Sequence, residues 1–274
     1  MKKLRRRRVS AITIAASDSG GGAGIQADLL TFAAHGVHGG TVLVGATAQN
    51  TRGITRIERL SAAFIGAQMD SIFPDLKPAA VKIGALLDAS RIRAVAAGLR
   101  RHRAKNVVLD PVMLATGGGR LLSAAAVETL KKTLLSLCDL VTPNIPEVEA
   151  LSGVRIRTAS DRRGAALAIA ALGARAVLVK GGHASGDSVR DLLYDGRRFR
   201  EFAHPRIRTR ATHGTGCVLS SAIAANLALG RDLEEAVSLG IRFLQAGLSN
   251  GYFPGTGRGV PERIGITTRG APQQ

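Results

Sequence analysis

The chain has 274 residues, 45% of them apolar, enough to bury a substantial core within one domain. No apolar run reaches the roughly 18 residues of a membrane span, and two cysteines, Cys138 and Cys217, are too few for a disulfide framework, which makes a reducing cytoplasm the default. The formal charge is +18, yet aromatics are only 3% of the chain and the arginines are scattered (Arg91/Arg93, Arg100/Arg101/Arg103, Arg206/Arg208/Arg210). No nucleic-acid module or base-stacking surface is recognisable, so an anionic small-molecule substrate suits the charge better than a specific nucleic acid.

The basic run Met1–Arg8 reads as a solvated tail. The apolar Val9–Ala16 behind it is short for a signal peptide and leads straight into Asp18, as a buried first strand would. The glycine-rich turn Ser17–Gly24 then opens a helix over Ile25–His35. Thr41–Ala48 is the next strand, and Ser61–Phe73 a helix with Ser61 as its cap. Ala79–Ile83 is a strand, Ser90–Arg101 a helix, and Asn106–Leu109 a strand closed by Asp110-Pro111. Ser123–Leu135 is helical, Leu140–Thr142 a short strand, Asp161–Leu172 a helix and Ala176–Lys180 a strand. Asp191–Asp195 and Phe199–Phe202 form an antiparallel excursion turning at Asp195-Gly196. Two helices, Cys217–Leu229 and Leu233–Ser249, close the domain. Such alternation predicts an α/β protein with a mainly parallel sheet covered on both faces. A single domain is expected over residues 9–254, with a flexible tail over 255–274.

Two glycine turns carry the chemistry. Thr212-His213-Gly214-Thr215-Gly216-Cys217 opens an apolar helix, where converging N–H groups and the helix dipole make an anion site with a thiol at its edge. A helix N-terminus lowers a thiol pKa, so Cys217 is expected to be reactive; Cys138 reads as core. The N-terminal turn runs G-G-G-A-G rather than G-x-G-x-x-G, and no G-x-x-x-x-G-K-[ST] occurs, which argues against a dinucleotide fold and an ordinary P-loop. In an open parallel sheet the ligand crevice lies beyond the carboxyl ends of the strands. Asp18, Gln49, Asn50, Lys82, Asp110, Asn144, Glu147 and Lys180 all follow apolar runs and belong at that edge. Each also has a plain structural alternative: Asp18 as a turn cap, Lys82 as a snorkelling strand residue.

These segments resemble, in order, the hydroxymethylpyrimidine/phosphomethylpyrimidine kinases of thiamine biosynthesis, a branch of the ribokinase-like superfamily. The likeness runs from Val9 to Gly251. It rests on Ser17–Asp28, Ala48-Gln49-Asn50-Thr51, Lys82-Ile83-Gly84, Val108–Met113, Thr142–Glu147, Val179–His183 and His213–Cys217. It implies a three-layer α/β/α fold and two successive phosphorylations of an aminopyrimidine, using ATP and Mg2+. A monovalent-cation requirement stays open. Asp28 and Gln49 would read the pyrimidine ring, with Ala23, Gly24, Gly84 and Met113 along its pocket. Asn144, Lys180, Gly182, Thr212, Gly214, Thr215 and Gly216 would hold ATP, and Asp110 and Glu147 would position Mg2+. Lys180, Gly214, Gly216 and Cys217 would act on the moving phosphoryl group. Sugar kinases of the superfamily carry an aspartate base where this chain has Cys217. Ala16 replaces a usual glycine, which bears on fine specificity. A homodimer without membrane or nucleic-acid partners is the implied assembly. A pyridoxal/pyridoxine kinase, whose acceptor is also a flat ring with a hydroxymethyl arm, and a non-catalytic pyrimidine-binding protein are the alternatives.

Overall fold

A computed structural model describes residues 8–114, 118–182 and 186–265. The basic tail therefore lies outside the described residues except for Arg8, as do His183 and everything after Gly265. The strands are β1 (Ser10–Asp18), β2 (His38–Asn50), β3 (Gly53–Arg59), β4 (Ala80–Ile83), β5 (Val107–Leu109), β6 (Leu140–Val141), β7 (Val177–Val179), β8 (Ser188–Tyr194) and β9 (Phe199–Pro205). They form one sheet in the order β3-β2-β1-β4-β5-β6-β7-β8-β9. The six strands from β2 to β7 run parallel, and antiparallel pairs β2/β3, β7/β8 and β8/β9 finish the two edges.

The helices are α1 (Gly24–Ala34), α2 (Ala62–Leu76), α3 (Ala89–Arg101), α4 (Ala124–Thr133), α5 (Ile145–Ser152), α6 (Ala159–Ala171), α7 (Thr215–Ala228) and α8 (Leu233–Ser249). Strand residues alternate between two cores. Ile12, Ile14, Val107, Leu109, Val177 and Val179 face α2 to α6, while Ala11, Val108 and Leu178 pack with Phe32 of α1 and with Leu219 and Ile223 of α7. Each large side chain sealed this way contributes about 1.5–3 kcal/mol. The result is the expected three-layer α/β/α arrangement.

Local chemistry sets the helix starts. Ser61 accepts from Phe64 N–H, as anticipated for α2. Asn144 and Glu147 form a reciprocal capping box that starts α5.

Three features differ from expectation. β3 pairs with β2 although its solvent-facing sequence, Ile-Thr-Arg-Ile-Glu-Arg, has little apolar content to announce it. α5 follows directly on β6, so Asn144 and Glu147 open a helix instead of merely trailing a strand. The tail expected to fray from residue 255 is packed in part: Gly259, Val260, Pro261 and Arg263 are buried while Thr256, Arg258 and Ile264 are exposed, and Val260 pairs with Tyr252 and sits against the Gly22 turn.

Candidate active site

The chain leaves β1 toward β2 on one side and later resumes at β4 on the other, so a crevice opens beyond the carboxyl ends of β1 and β4. A cavity of about 1070 Å³ fills it. Ala23, Gly24, Gln49 and Met113 line this cavity together with Asp110, Glu147, Asn144, Lys180, Gly182, Thr212 and the whole Gly214–Cys217 turn. Residues up to 194 apart in sequence thus meet in one space, bringing together most of those singled out above.

At one end, Lys180 Nζ lies 2.8 Å from Asp110 Oδ1, and both side chains are largely buried. Burial pulls the lysine pKa down, but the charges of Asp110 and Glu147 overcome it and raise it above the ordinary value. Glu147 goes the other way for a carboxylate. Desolvation, reinforced by the neighbouring Asp110 charge and opposed by Lys180, pushes it up to about 7. It still accepts the Asn144 N–H at 2.9 Å through its capping role.

Gly214 caps α7 in a left-handed conformation, φ 81°, and a Cβ there would collide with the Gly22 carbonyl oxygen. Glycine is required, and the two turns are in contact. At Gly216 a Cβ would stand 2.8 Å from Asp110 Oδ2 and 3.4 Å from Lys180 Nζ. The first turn of α7 therefore abuts the Asp110–Lys180 pair, where a phosphate would find amide donors, the positive end of a helix and an ammonium together.

The other glycine turn is not a second anion site. Its N–H groups at Gly20, Gly22 and Ala23 all donate to Asp18, at 2.8, 3.1 and 2.8 Å, and His213 Nε2 lies 2.9 Å from the same carboxylate. Burial works to raise the Asp18 pKa, but these bonds outweigh it and hold it below the usual carboxylate range. Gln49 Nε2 approaches His213 Nε2 at 3.2 Å, which ties the end of β2 to the glycine turn that opens α7.

Two assigned residues stand back from the cavity wall. Asp28 does not line the cavity. Its side chain is fully buried behind the wall and accepts from Thr13 at 2.5 Å, from Lys82 at 2.8 Å on both oxygens, and from Ser221 at 2.7 Å. Asp28 faces the sheet from α1, where a buried carboxylate must be neutralised, and this cluster supplies the neutralising partners. Gly84 is likewise outside the cavity lining; a Cβ there would lie 2.9 Å from Lys82 Nζ, so its bareness seats the ammonium. Lys82 itself reaches the cavity wall. Burial lowers its pKa, but Asp28, Cys217 and Asp110 together raise it, and it remains charged.

Cys217 lies at the cavity wall, as expected, but its acidity does not follow the helix-terminus rule. Burial pushes the thiol up to about 11, against the pull of Lys82, with Asp28 and Asp110 adding to the rise. Desolvation and two nearby carboxylates outweigh the helix dipole, so the thiol is neutral near pH 7. Cys138 is core, with a raised pKa due first to burial. Ala16 is buried and forms part of the cavity wall. Asp18 takes the turn-cap role that the sequence offered as its structural alternative. His213 and Arg263 were given no role by sequence; for His213 the signal was present in its glycine turn, whereas nothing local marks Arg263.

Among the described residues, no group of three or more His, Cys, Asp or Glu side chains is arranged to hold a metal, and no helix is long and apolar enough to cross a membrane. Two buried carboxylates beside a lysine do fit Mg2+, which is bound through one or two carboxylates plus substrate phosphates. The proton affinity of Glu147 comes first from desolvation, with the Asp110 charge adding to it.

Fold and site are those of an ATP-dependent phosphotransferase of the ribokinase-like kind, with the N-terminus of α7 and the Asp110–Lys180 pair at one cavity. The family model for phosphomethylpyrimidine kinase matches residues 18–262, and the chain belongs to that family. It is 50% identical over 240 residues to the hydroxymethylpyrimidine/phosphomethylpyrimidine kinase of Rhizobium meliloti, covering 87% of this chain and 90% of that one. It is also 48% identical over 258 residues to a thiamine biosynthesis bifunctional protein of Geobacter sulfurreducens, of which it spans about half the length: 94% of this chain, 52% of the relative. Among solved structures, phosphomethylpyrimidine kinase from Clostridium difficile 630 superposes with TM-score 0.78 at 39% identity, over 87% of this chain and 98% of that one. An ADP complex of Bacillus subtilis pyridoxal kinase gives 0.88 at 34%, over 94% and 98%.

Proposed function

We propose that the chain transfers the γ-phosphoryl group of ATP to the hydroxymethyl oxygen of 4-amino-5-hydroxymethyl-2-methylpyrimidine, and then phosphorylates the resulting monophosphate, in thiamine diphosphate biosynthesis. The observation that carries this is the abutment of the α7 N-terminus on the Asp110–Lys180 pair inside a cavity whose other wall is Ala23, Gly24, Gln49 and Met113. Phosphoryl transfer needs charge neutralisation and in-line placement more than covalent chemistry. The N–H groups of the Gly214–Cys217 turn and Lys180 hold the equatorial oxygens, while Asn144, Gly182, Thr212 and Thr215 border the nucleotide end. Asp110 and Glu147 are the residues that would hold Mg2+ or its waters, and bound Mg2+ neutralises the β and γ phosphates. Gln49 reads a ring edge.

Cys217 orients the acceptor hydroxyl and is not the group that drives its deprotonation, because a thiol near 11 offers little thiolate at neutral pH. Cys217→Ser and Cys217→Ala are therefore expected to keep kcat within about tenfold of the parent, since general base catalysis contributes 10²–10⁴. A loss beyond about a hundredfold in both would make the thiol a proton acceptor after all.

Turnover of hydroxymethylpyrimidine, its monophosphate and pyridoxal, offered separately with MgATP, tests the reading. Both mono- and diphosphate pyrimidine products support it. Preference for pyridoxal would instead favour the B6-salvage reading, to which the likeness to the Bacillus subtilis pyridoxal kinase also points. The same assay with and without K+ decides the monovalent-cation question. The homodimer implied by the superfamily is tested by light scattering, where a monomer mass would remove it.

A further inference from the structure

The segment after α8 has no role in the reading above, yet it touches the loops around the acceptor end of the cavity. Gly257 N–H donates to Thr51 Oγ1 at 3.0 Å and Arg258 N–H to Thr51 O at 2.9 Å, which fixes the β2–β3 turn just beyond Gln49. His213 N–H donates to Gly259 O at 3.0 Å. A Cβ at Gly22 would lie 3.0 Å from Val260 Cγ1, so Val260 sits directly on the glycine turn.

Arg263 completes the contact. It is 2% exposed, and its guanidinium donates to Gly22 O at 3.1 Å and, at 3.5 Å, toward Gly21 O. Among the described residues no carboxylate forms an ion pair with it. A buried cation held only by carbonyls is costly to keep, and those carbonyls belong to the turn whose N–H groups Asp18 collects from the opposite side. Gly22 is thus gripped on its N–H by an anion (3.1 Å) and on its C=O by a cation (3.1 Å). The same carbonyl is the one that meets Gly214, so its orientation sets the spacing between the Ala23–Gly24 wall and the phosphate turn.

We infer that Arg263 is a positioning residue for the acceptor subsite, acting through the Gly21-Gly22 peptides to hold the acceptor in register with the phosphate turn. The inference rests on the assignment of the acceptor end to Ala23, Gly24 and Gln49.

The test is steady-state kinetics of the full chain on the pyrimidine for Arg263→Met, Arg263→Lys and Gln49→Ala. Arg263→Met is expected to lower kcat/KM for the pyrimidine by about tenfold or more, since small misplacements of a reacting group are expensive, with KM for ATP within about twofold of the parent. Arg263→Lys, which keeps one cationic donor, should recover part of the loss. A purely structural arginine would lower thermal stability without that split. Unchanged pyrimidine kinetics in Arg263→Met, or equal shifts for pyrimidine and ATP, would overturn the inference. If Gln49→Ala impairs the pyrimidine and Arg263→Met does not, only the role of Arg263 falls. If neither does, the acceptor assignment falls with it. Should Arg263→Met not fold, Arg263→Lys and Arg263→Gln are read by the same split between the two substrates.

Discussion

Gly216→Ala is expected to lower kcat by about 10²–10³, the loss typical of a blocked oxyanion-type donor site, while leaving the protein folded. Gly216 is the second residue of α7 and is not in a left-handed conformation, so alanine can adopt its backbone without strain. Helix propensity even favours alanine by about 1 kcal/mol. The methyl group, however, would stand 2.8 Å from Asp110 Oδ2 and 3.4 Å from Lys180 Nζ. It would displace the carboxylate from its lysine and occupy the face on which the α7 amides meet a phosphate. Melting temperature and kcat should therefore separate: the first changes by a few degrees at most, the second collapses. Near-parental kcat in a folded Gly216→Ala protein would remove the α7 turn from the reacting centre.

Glu147→Gln should abolish most turnover, by about 10²–10³, if this carboxylate holds Mg2+ or its water against the developing charge. The capping box survives the change, since glutamine serves at that position as well as glutamate, so the loss is not one of helix α5. The stability effect has the opposite sign. The folded carboxyl has a pKa of about 7 against an ordinary 4.5, so across that window the folded chain keeps a proton that the unfolded chain has released. This group's contribution to stability is then lost as pH rises from about 4.5 to about 7 and stays lost above it. In the presence of a chelator, Glu147→Gln should be more stable than the parent at about pH 8 and nearly equal to it at about pH 4, because only the parent must ionise a buried group. For the parent, activity at low Mg2+ should rise through pH 7 and shift to lower pH as Mg2+ is increased, because metal competes with the proton. Thermal unfolding at both pH values and a kcat/KM profile at two Mg2+ concentrations check this. A variant less stable than the parent at high pH would show that Glu147 is ionised and well paired in the folded chain.

Most elements were legible because the buried parallel strands are short apolar runs closed by polar residues. Val107–Leu109 ends at Asp110, and Leu140-Val141 ends just before Thr142-Pro143-Asn144. α5 is legible in the sequence although it shows no long periodic stretch: Asn144, Pro146, Glu147 and Gly153 spell a capped helix with a left-handed stop. β3 was not readable, because an exposed edge strand draws its order from pairing with β2 and not from its own pattern. The segment after 255 reads as a tail because it is rich in glycine, proline and glutamine, and the order of its described part comes from contacts with Thr51, His213 and Gly22 elsewhere in the chain.

The sequence by itself determined the class: alternating elements, two glycine turns and polar residues at the strand ends follow from local patterns and specify an α/β fold with a mainly parallel sheet, and the order of the motifs carries the resemblance to a kinase family. Only the tertiary structure decided which charged groups face the cavity. Asp28 and Asp110 are both carboxylates in family motifs, but Asp28 is enclosed by Thr13, Lys82 and Ser221 while Asp110 stands at the cavity with Lys180. The acidity of Cys217 and Glu147 was likewise beyond local reading. Both are raised chiefly by desolvation, with Asp110 adding to it, and desolvation depends on what other strands and helices bring around a group, which no stretch of neighbouring residues encodes.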